Sequence, residues 1–188
     1  VQQCRSDLAR SGKDYSYADL TKEAAAAPPL RTILDPDHPP FMLPGGMLEK
    51  ISAYAKQTNQ PAPDTVGGHV RACLETLALT YKRTLNSLES VTGATYDVLH
   101  IVGGGSKNAL LCQMTADAVG RVVVAGPDEA TAAGNILTQA LGSGDVANLT
   151  QIRQLVSASW KPIRYTPAKS GDWDTAYERF LSLRGESP

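Results

Sequence analysis

Apolar residues recur along this chain at the spacing of helices that bury one face. The clearest case is residues 70–91, where apolar side chains fall at positions 70, 73, 74, 77, 78, 81, 85 and 88. This is the i, i+3, i+4 pattern of a core-facing helix, and Gly93 ends it. Similar patterns predict helices at 1–11, 17–27, 48–57, 107–119, 129–141 and 149–157, and a last helix that Asp172 caps. The proline-punctuated segment 30–47 is predicted to be a loop.

Two short apolar runs predict β-strands at 97–102 and 121–125, and a predicted helix follows each of them. The segment 160–167 is predicted to be extended. Strands that alternate with helices favour parallel pairing with helices on both faces of the sheet, so we assign the chain to the α/β class. In such sheets ligands bind at the carboxyl ends of the strands.

A glycine triplet follows the first predicted strand. Gly103, Gly104 and Gly105 lie between that strand and the helix at 107–119. Glycine has no Cβ, so the backbone there can adopt positive φ and approach a ligand closely. The free N–H groups of the first helical turn also favour anionic groups. The triplet therefore predicts a nucleotide site, although many strand-to-helix turns carry glycine for steric reasons alone.

Two better-defined nucleotide motifs are absent. No Gly-Lys-Ser/Thr follows the triplet, which excludes a Walker A loop. Position 108 is Asn108, which breaks the Gly-x-Gly-x-x-Gly spacing of dinucleotide-binding proteins. Lys107 is placed either to touch a phosphate or to be solvated.

The other polar residues near the triplet favour structural roles. Turn, pairing or helix N-terminal roles are predicted for Asp97, Asp117, Asp128 and Glu129. His100, inside the apolar strand, is predicted to be a hydrogen-bonded core histidine. No Ser/His/Asp arrangement, Cys/His pair or metal-binding cluster stands out. The sequence therefore predicts no catalytic residue and no metal ligand in this chain.

Composition and charge argue against binding to nucleic acid or to a membrane. The 188 residues carry 18 basic and 19 acidic side chains, well mixed, for a net charge of −1. There is neither a basic stripe for nucleic acid nor a polybasic run for a membrane surface, and no apolar run is long enough to span a bilayer. The three cysteines, at unrelated spacings, favour reduced thiols in a cytoplasm. Because the chain begins with Val1 inside a helical pattern, we expect it to be part of a longer protein.

Four segments taken together resemble one protein family. They are 100–108 (HIVGGGSKN), 113–120 (QMTADAVG), 124–131 (VAGPDEAT) and 134–136 (GNI). They are similar to the C-terminal domain of the FGGY family of carbohydrate kinases, and the resemblance extends over nearly the whole chain. Within that family, the segments 124–131 and 134–136 and residues 71–79 (RACLETLAL) resemble the rhamnulokinase branch. Gly68 and His69 depart from the family, in which a polar residue is often followed there by an aliphatic one.

The resemblance implies a fold, a reaction and a set of nucleotide contacts. FGGY kinases have two domains of the actin-like, ribonuclease H-like ATPase class, with the sugar bound mainly by the N-terminal domain and ATP mainly by the C-terminal one. With Mg²⁺, the γ-phosphoryl group passes to a sugar hydroxyl, which in this branch is the 1-OH of L-rhamnulose. The residues that the resemblance places at the nucleotide are Gly103, Gly104, Gly105, Ser106, Asn108 and, in a Gln-x-Cys-Arg stretch, Gln2.

The resemblance also implies what this chain lacks. Residues 1–188 correspond to the C-terminal, ATP-binding domain without its first antiparallel strands. The N-terminal domain, with the aspartate base and the sugar contacts, lies outside the sequence. We therefore expect no catalysis, and weak or no ATP binding, by this chain alone. Three alternatives remain open: an FGGY kinase for xylulose, glycerol, gluconate or a similar substrate, a non-catalytic actin-like nucleotide-binding module, and a dinucleotide oxidoreductase, which the missing fingerprint disfavours.

Overall fold

One long helix lies at the centre of the molecule. The computed structural model describes residues 1–168 and 172–186. Its helices are α1 (Gln2–Arg10), α2 (Tyr17–Ala26), α3 (Pro39–Met42), α4 (Met47–Gln57), α5 (Val66–Thr92), α6 (Ala109–Val119), α7 (Ala130–Ser143), α8 (Leu149–Ser159) and α9 (Trp173–Leu183). Its strands are β1 (Val98–Ile101), β2 (Val122–Ala125) and β3 (Ile163–Tyr165), and a 3₁₀ turn (Gly103–Lys107) separates β1 from α6. The long helix α5 packs along both α2 and α6.

The helices predicted from the apolar pattern are confirmed, with shifts at their ends. α5 begins at Val66, ahead of its predicted start, because the Thr65 side chain caps it by accepting the Gly68 N–H at 3.0 Å. Asp172 stands at the N-cap of α9 as predicted, but its side chain makes no capping hydrogen bond. The predicted loop 30–47 contains one short helix, α3. Across the described ranges, no helix combines the length and apolar character needed to cross a bilayer.

The α/β class is confirmed, and the small sheet is mixed. β1 and β2 pair in parallel, with Val98 opposite Val122 and Ile101 opposite Ala125. β3, which lies in the segment predicted to be extended, pairs antiparallel with β2. The strand order in the described part of the chain is β1-β2-β3. Because β1 and β2 run side by side in one direction, the loops that follow them lie at the same end of the sheet.

The main core lies between α5 and the helices around it. Its fully buried side chains include Leu20 of α2, Leu79 of α5 and Phe180 of α9. Burial of each is worth roughly 1.5–3 kcal/mol. A second cluster joins the sheet to α6, through fully buried Val123 of β2 and Cys112 of α6. The sheet is thus anchored through α6 to the helical core, which fixes the start of α6 relative to the ends of the strands.

β1 is exposed where the sequence predicts an apolar, buried strand. Val98 and His100 are exposed, Leu99 is partly buried and only Ile101 is buried, while Val102 just beyond the strand is 51% exposed. The prediction of His100 as a core histidine is therefore wrong. The physical reason is that side chains alternate between the two faces of a strand, so residues 98, 100 and 102 lie on one face of β1, and the described residues leave that face open.

Candidate nucleotide-binding site

Two loops meet at the end of the sheet where β1 and β2 finish. One is the 3₁₀ turn, which leads into α6, and the other is the segment 126–129, which leads into α7. The Gly103 N–H donates to the Pro127 carbonyl at 3.0 Å, and the Gly126 N–H donates to the Ile101 carbonyl at 2.8 Å. These bonds hold the loops together at the position where parallel strands bind ligands.

Of the three glycines of the triplet, Gly103 alone is required by its backbone conformation. Gly103 adopts a φ of +74°, a left-handed conformation that other residues rarely take. Gly104 has no such requirement, and a Cβ built on it meets no atom within 4 Å. A Cβ on Gly105 contacts Ile101 Cγ2 at 3.6 Å, an ordinary van der Waals distance. Packing and backbone conformation thus explain glycine at 103 but not at 104, where the missing side chain leaves open space beside the turn.

Ser106 and Asn108, the predicted polar contacts, hold the turn in shape. The Ser106 hydroxyl donates to the Gly103 carbonyl at 2.7 Å, and this side chain is buried. Asn108 Oδ1 accepts the Leu111 N–H at 3.0 Å and so caps α6. Both side chains therefore have structural roles, and a direct contact with a nucleotide stays a prediction for each.

One ion pair bridges the two loops. Lys107 Nζ lies 2.8 Å from Asp128 Oδ2. The hydrogen bond from Lys107 lowers the pKa of the Asp128 carboxyl, and the same bond raises the pKa of Lys107. The two side chains are 63% and 37% exposed, so the pair adds little to stability. Its effect is to place a positive and a negative charge beside the glycine turn.

Gln2 lies on α1 and Asp117 lies on α6. Gln2 is exposed on the first turn of α1, which packs against α4. Within 1–168 and 172–186, no hydrogen bond or ion pair joins Gln2 to the glycine turn, so its nucleotide contact stays a prediction. Asp117 pairs structurally, as expected, because its Oδ1 accepts hydrogen bonds from Gln113 Nε2 and the Ala168 N–H, both at 2.8 Å.

The turn fits the predicted nucleotide. A Cβ on Gly104 would point into open space, which leaves room for close approach of a flat purine or a ribose. No group of three or more His, Cys, Asp or Glu side chains in the described ranges is placed to hold a metal ion. Mg²⁺ bound with a nucleotide takes several ligands from phosphates and water, so we assign no residue of this chain to it.

Sequence comparison finds relatives over almost the whole chain. Residues 1–143 match the FGGY family of carbohydrate kinases, C-terminal domain. Rhamnulokinase of Bacteroides thetaiotaomicron is 41% identical over 167 residues, which are 89% of this chain and 34% of that protein. Rhamnulokinase of Lactiplantibacillus plantarum is 38% identical over 189 residues, 99% of this chain and 38% of that protein. The chain therefore spans about a third of the length of these curated relatives.

Solved structures share the fold. Xylulose kinase from Rhodospirillum rubrum matches with a TM-score of 0.66 at 21% identity, over 98% of this chain and 36% of that protein. Plasmodium falciparum glycerol kinase with ADP matches with a TM-score of 0.60 at 18% identity, over 94% of this chain and 36% of that protein. At these identities the likeness establishes the fold alone, and it extends beyond residue 143 to the last helices.

Proposed function

This chain belongs to the FGGY family of carbohydrate kinases, and on that premise we propose that it forms the ATP-binding part of a sugar kinase. The proposed reaction transfers the γ-phosphoryl group of MgATP to the 1-hydroxyl of L-rhamnulose. The observation that carries the proposal is the glycine turn after β1, whose surface is open at Gly104. The similarity to two rhamnulokinases supports the choice of sugar.

The nucleoside of ATP is proposed to lie along the turn formed by Gly103, Gly104 and Gly105. Backbone without side chains lets a flat ring approach to van der Waals distance. The N–H groups at the start of α6 carry partial positive charge, which favours the phosphates. Ser106 and Asn108 hold the turn and are proposed to contact the nucleotide, whereas the proposed contact of Gln2 rests on the family resemblance alone.

The remaining catalytic groups are proposed to lie outside these 188 residues. Phosphoryl transfer asks the protein mainly for positioning and for stabilisation of charge. Mg²⁺, when bound with ATP, would neutralise charge on the phosphates. The chain spans about a third of its curated relatives, and we propose that the sugar contacts and the base that accepts the hydroxyl proton belong to the remainder.

The open edge of β1 also supports the proposal that part of the kinase lies outside these 188 residues. β1 ends the strand order β1-β2-β3, and no strand among the described residues pairs with its outer side. An open strand edge presents unpaired N–H and C=O groups that another strand can bind. We propose that a strand of the C-terminal domain, absent from this sequence, pairs with β1 and completes the sheet.

The test is an assay of the complete kinase with MgATP against a panel of ketoses and polyols. We expect the highest kcat/KM for L-rhamnulose, with the phosphate of the product on O1. A preference for xylulose, glycerol or gluconate would contradict the sugar but not the kinase. ATP binding without transfer to any sugar would indicate a non-catalytic nucleotide-binding module, and binding of NADH in place of ATP would indicate an oxidoreductase.

A further inference from the structure

A serine and a histidine away from the glycine turn form a hydrogen-bonded pair. Ser52 on α4 and His69 on α5 are in contact, with Oγ of Ser52 2.9 Å from Nε2 of His69. The other ring nitrogen, Nδ1, lies 2.7 Å from the Thr65 carbonyl oxygen. No local motif of the sequence indicates this pair, because the two residues are 17 positions apart and lie on different helices.

The Thr65 carbonyl fixes the roles of the two ring nitrogens. A carbonyl oxygen only accepts hydrogen bonds, so Nδ1 of His69 carries the proton and donates it to Thr65. In neutral imidazole Nε2 is then an acceptor, and the Ser52 hydroxyl donates to it. A nucleophile, a base and a group that orients the base are thus in hydrogen-bond reach, which is the geometry that activates serine hydroxyls.

The pair opens onto a shallow depression of the surface. Its lining residues are Leu48, Glu49, Ser52, Ala53, Lys56 and His69. Ser52 is partly exposed, whereas His69 is only 9% exposed. A reagent in the depression can therefore reach the hydroxyl while the imidazole stays largely shielded from water. Glu49 and Lys56 place one negative and one positive charge in the same lining.

We propose that Ser52 is an acyl-accepting nucleophile, with His69 as its general base. The substrate class is small activated acyl compounds, such as aryl esters, thioesters and acyl phosphates. The Ser52 oxygen forms a bond to the acyl carbon while its proton passes to Nε2 of His69. The bond from the acyl carbon to the leaving group then breaks, and the leaving group takes the electron pair and the proton from His69. The products are an ester of Ser52, neutral His69 and the free leaving group.

Labelling with p-nitrophenyl acetate tests this proposal. The 188-residue chain is treated with the reagent, and acetylated peptides are quantified over time by mass spectrometry. Ser87, an exposed serine of α5 with no histidine contact among the described hydrogen bonds, is the internal control. A positioned base is worth roughly 10²–10⁴-fold, so we expect Ser52 to react at least about tenfold faster than Ser87. His69→Gln should lower the rate at Ser52 by about tenfold or more and leave the rate at Ser87 unchanged.

Two further measurements check that the variant is folded and that fast labelling requires the folded chain. Circular dichroism checks that His69→Gln retains the helices, and urea should bring labelling of Ser52 down to the level of Ser87, because the pair requires folded α4 and α5. Equal rates at Ser52 and Ser87 in the folded chain, or an unchanged rate in folded His69→Gln, would overturn the proposal. If His69→Gln does not fold, the comparison of the two serines within the unaltered chain decides the matter.

Discussion

Glycine serves distinct purposes at different positions of this chain. Gly103 is required by its left-handed backbone. Gly67 is required by packing, because a Cβ there would collide with the backbone of Glu23 and lie 2.7 Å from its carbonyl carbon. Gly104 has neither reason, since a Cβ there meets no atom within 4 Å. Open space alone does not indicate a ligand, since Gly134 and Gly142 share it, but at Gly104 it lies at the strand ends where such sheets bind ligands.

Replacing Gly67 tests the packing role. Gly67→Ala places a methyl group between α5 and the end of α2, and we expect it to lower the free energy of unfolding by about 1–3 kcal/mol. Gly142→Ala, near the end of α7, is the matched control because its Cβ meets no atom within 4 Å; alanine there should be neutral or stabilising by up to about 1 kcal/mol. Urea denaturation measures both. Equal stability of the two variants would contradict the close approach of α2 and α5.

Side-chain partners distant in sequence could not be predicted from the chain alone. The glycine turn was predictable because its residues are consecutive and follow an apolar run. The pairing of Lys107 with Asp128, and of Ser52 with His69, depends on how separate elements pack. The sequence was equally compatible with a solvated Lys107 side chain. Its pairing with Asp128 follows only from the positions of the two loops in the structure.

The helices were predictable because their signal is local. The apolar stripe and the ending glycine of α5 lie within its own sequence, and its capping Thr65 immediately precedes it. The strands were only partly predictable. Their positions follow from apolar runs, but the burial of β1 and the antiparallel direction of β3 depend on which neighbours each strand has. Those neighbours are distant in sequence, so the spacing of apolar residues within one strand does not identify them.

One carboxylate connects two helices at their ends. Asp7 of α1 accepts the Gly46 N–H at 3.3 Å, accepts the Met47 N–H and pairs with Arg10. It thereby caps α4, whose own N-cap residue, Gly46, has no side chain to do so. Burial alone would raise the pKa of Asp7, but the hydrogen bonds from Met47 and Arg10 outweigh it, and the pKa is lowered.

The Asp7 cap predicts a pH-dependent contribution to stability. Because the pKa is lower in the folded chain, this stabilisation is fully present above the unfolded pKa of about 3.9 and is lost as the pH falls through the folded pKa. Asp7→Ala should lower the free energy of unfolding by about 1 kcal/mol at pH 7, and the deficit should shrink toward zero in strong acid.

Urea denaturation of both chains across this pH range measures the effect. Asp14→Ala, which removes a carboxylate that is 92% exposed, is the matched control and should change stability little at any pH. A deficit for Asp7→Ala that stays the same from pH 7 into acid would show that packing, and not the charged cap, is lost.

At the scale of the whole molecule, the glycine turn is attached to the packed helical core. The glycine turn is held by α6, which packs on α5 in the main core. Exposed apolar side chains are found at several places, among them β1 and the residue after it, α7 and α8, where Val98, Val102, Ile136, Leu141, Leu149 and Leu155 reach solvent. Such surfaces are expected where a domain continues into further chain. The arrangement accords with an ATP-binding part that a second part of the kinase completes.

The most direct test of the account is the KM for ATP of Gly104→Val in the complete kinase. We predict an increase of about tenfold or more, equivalent to about 1.4 kcal/mol of lost binding, because the branched side chain fills the space proposed for the nucleoside. The KM for the sugar and the thermal midpoint should stay close to those of the unaltered enzyme, since among the described residues other than its chain neighbours no atom lies within 4 Å of the added Cβ. Gly142→Val, at another open glycine, should leave the KM for ATP unchanged. An unchanged KM for ATP in Gly104→Val would contradict the account and leave the turn with a backbone role only.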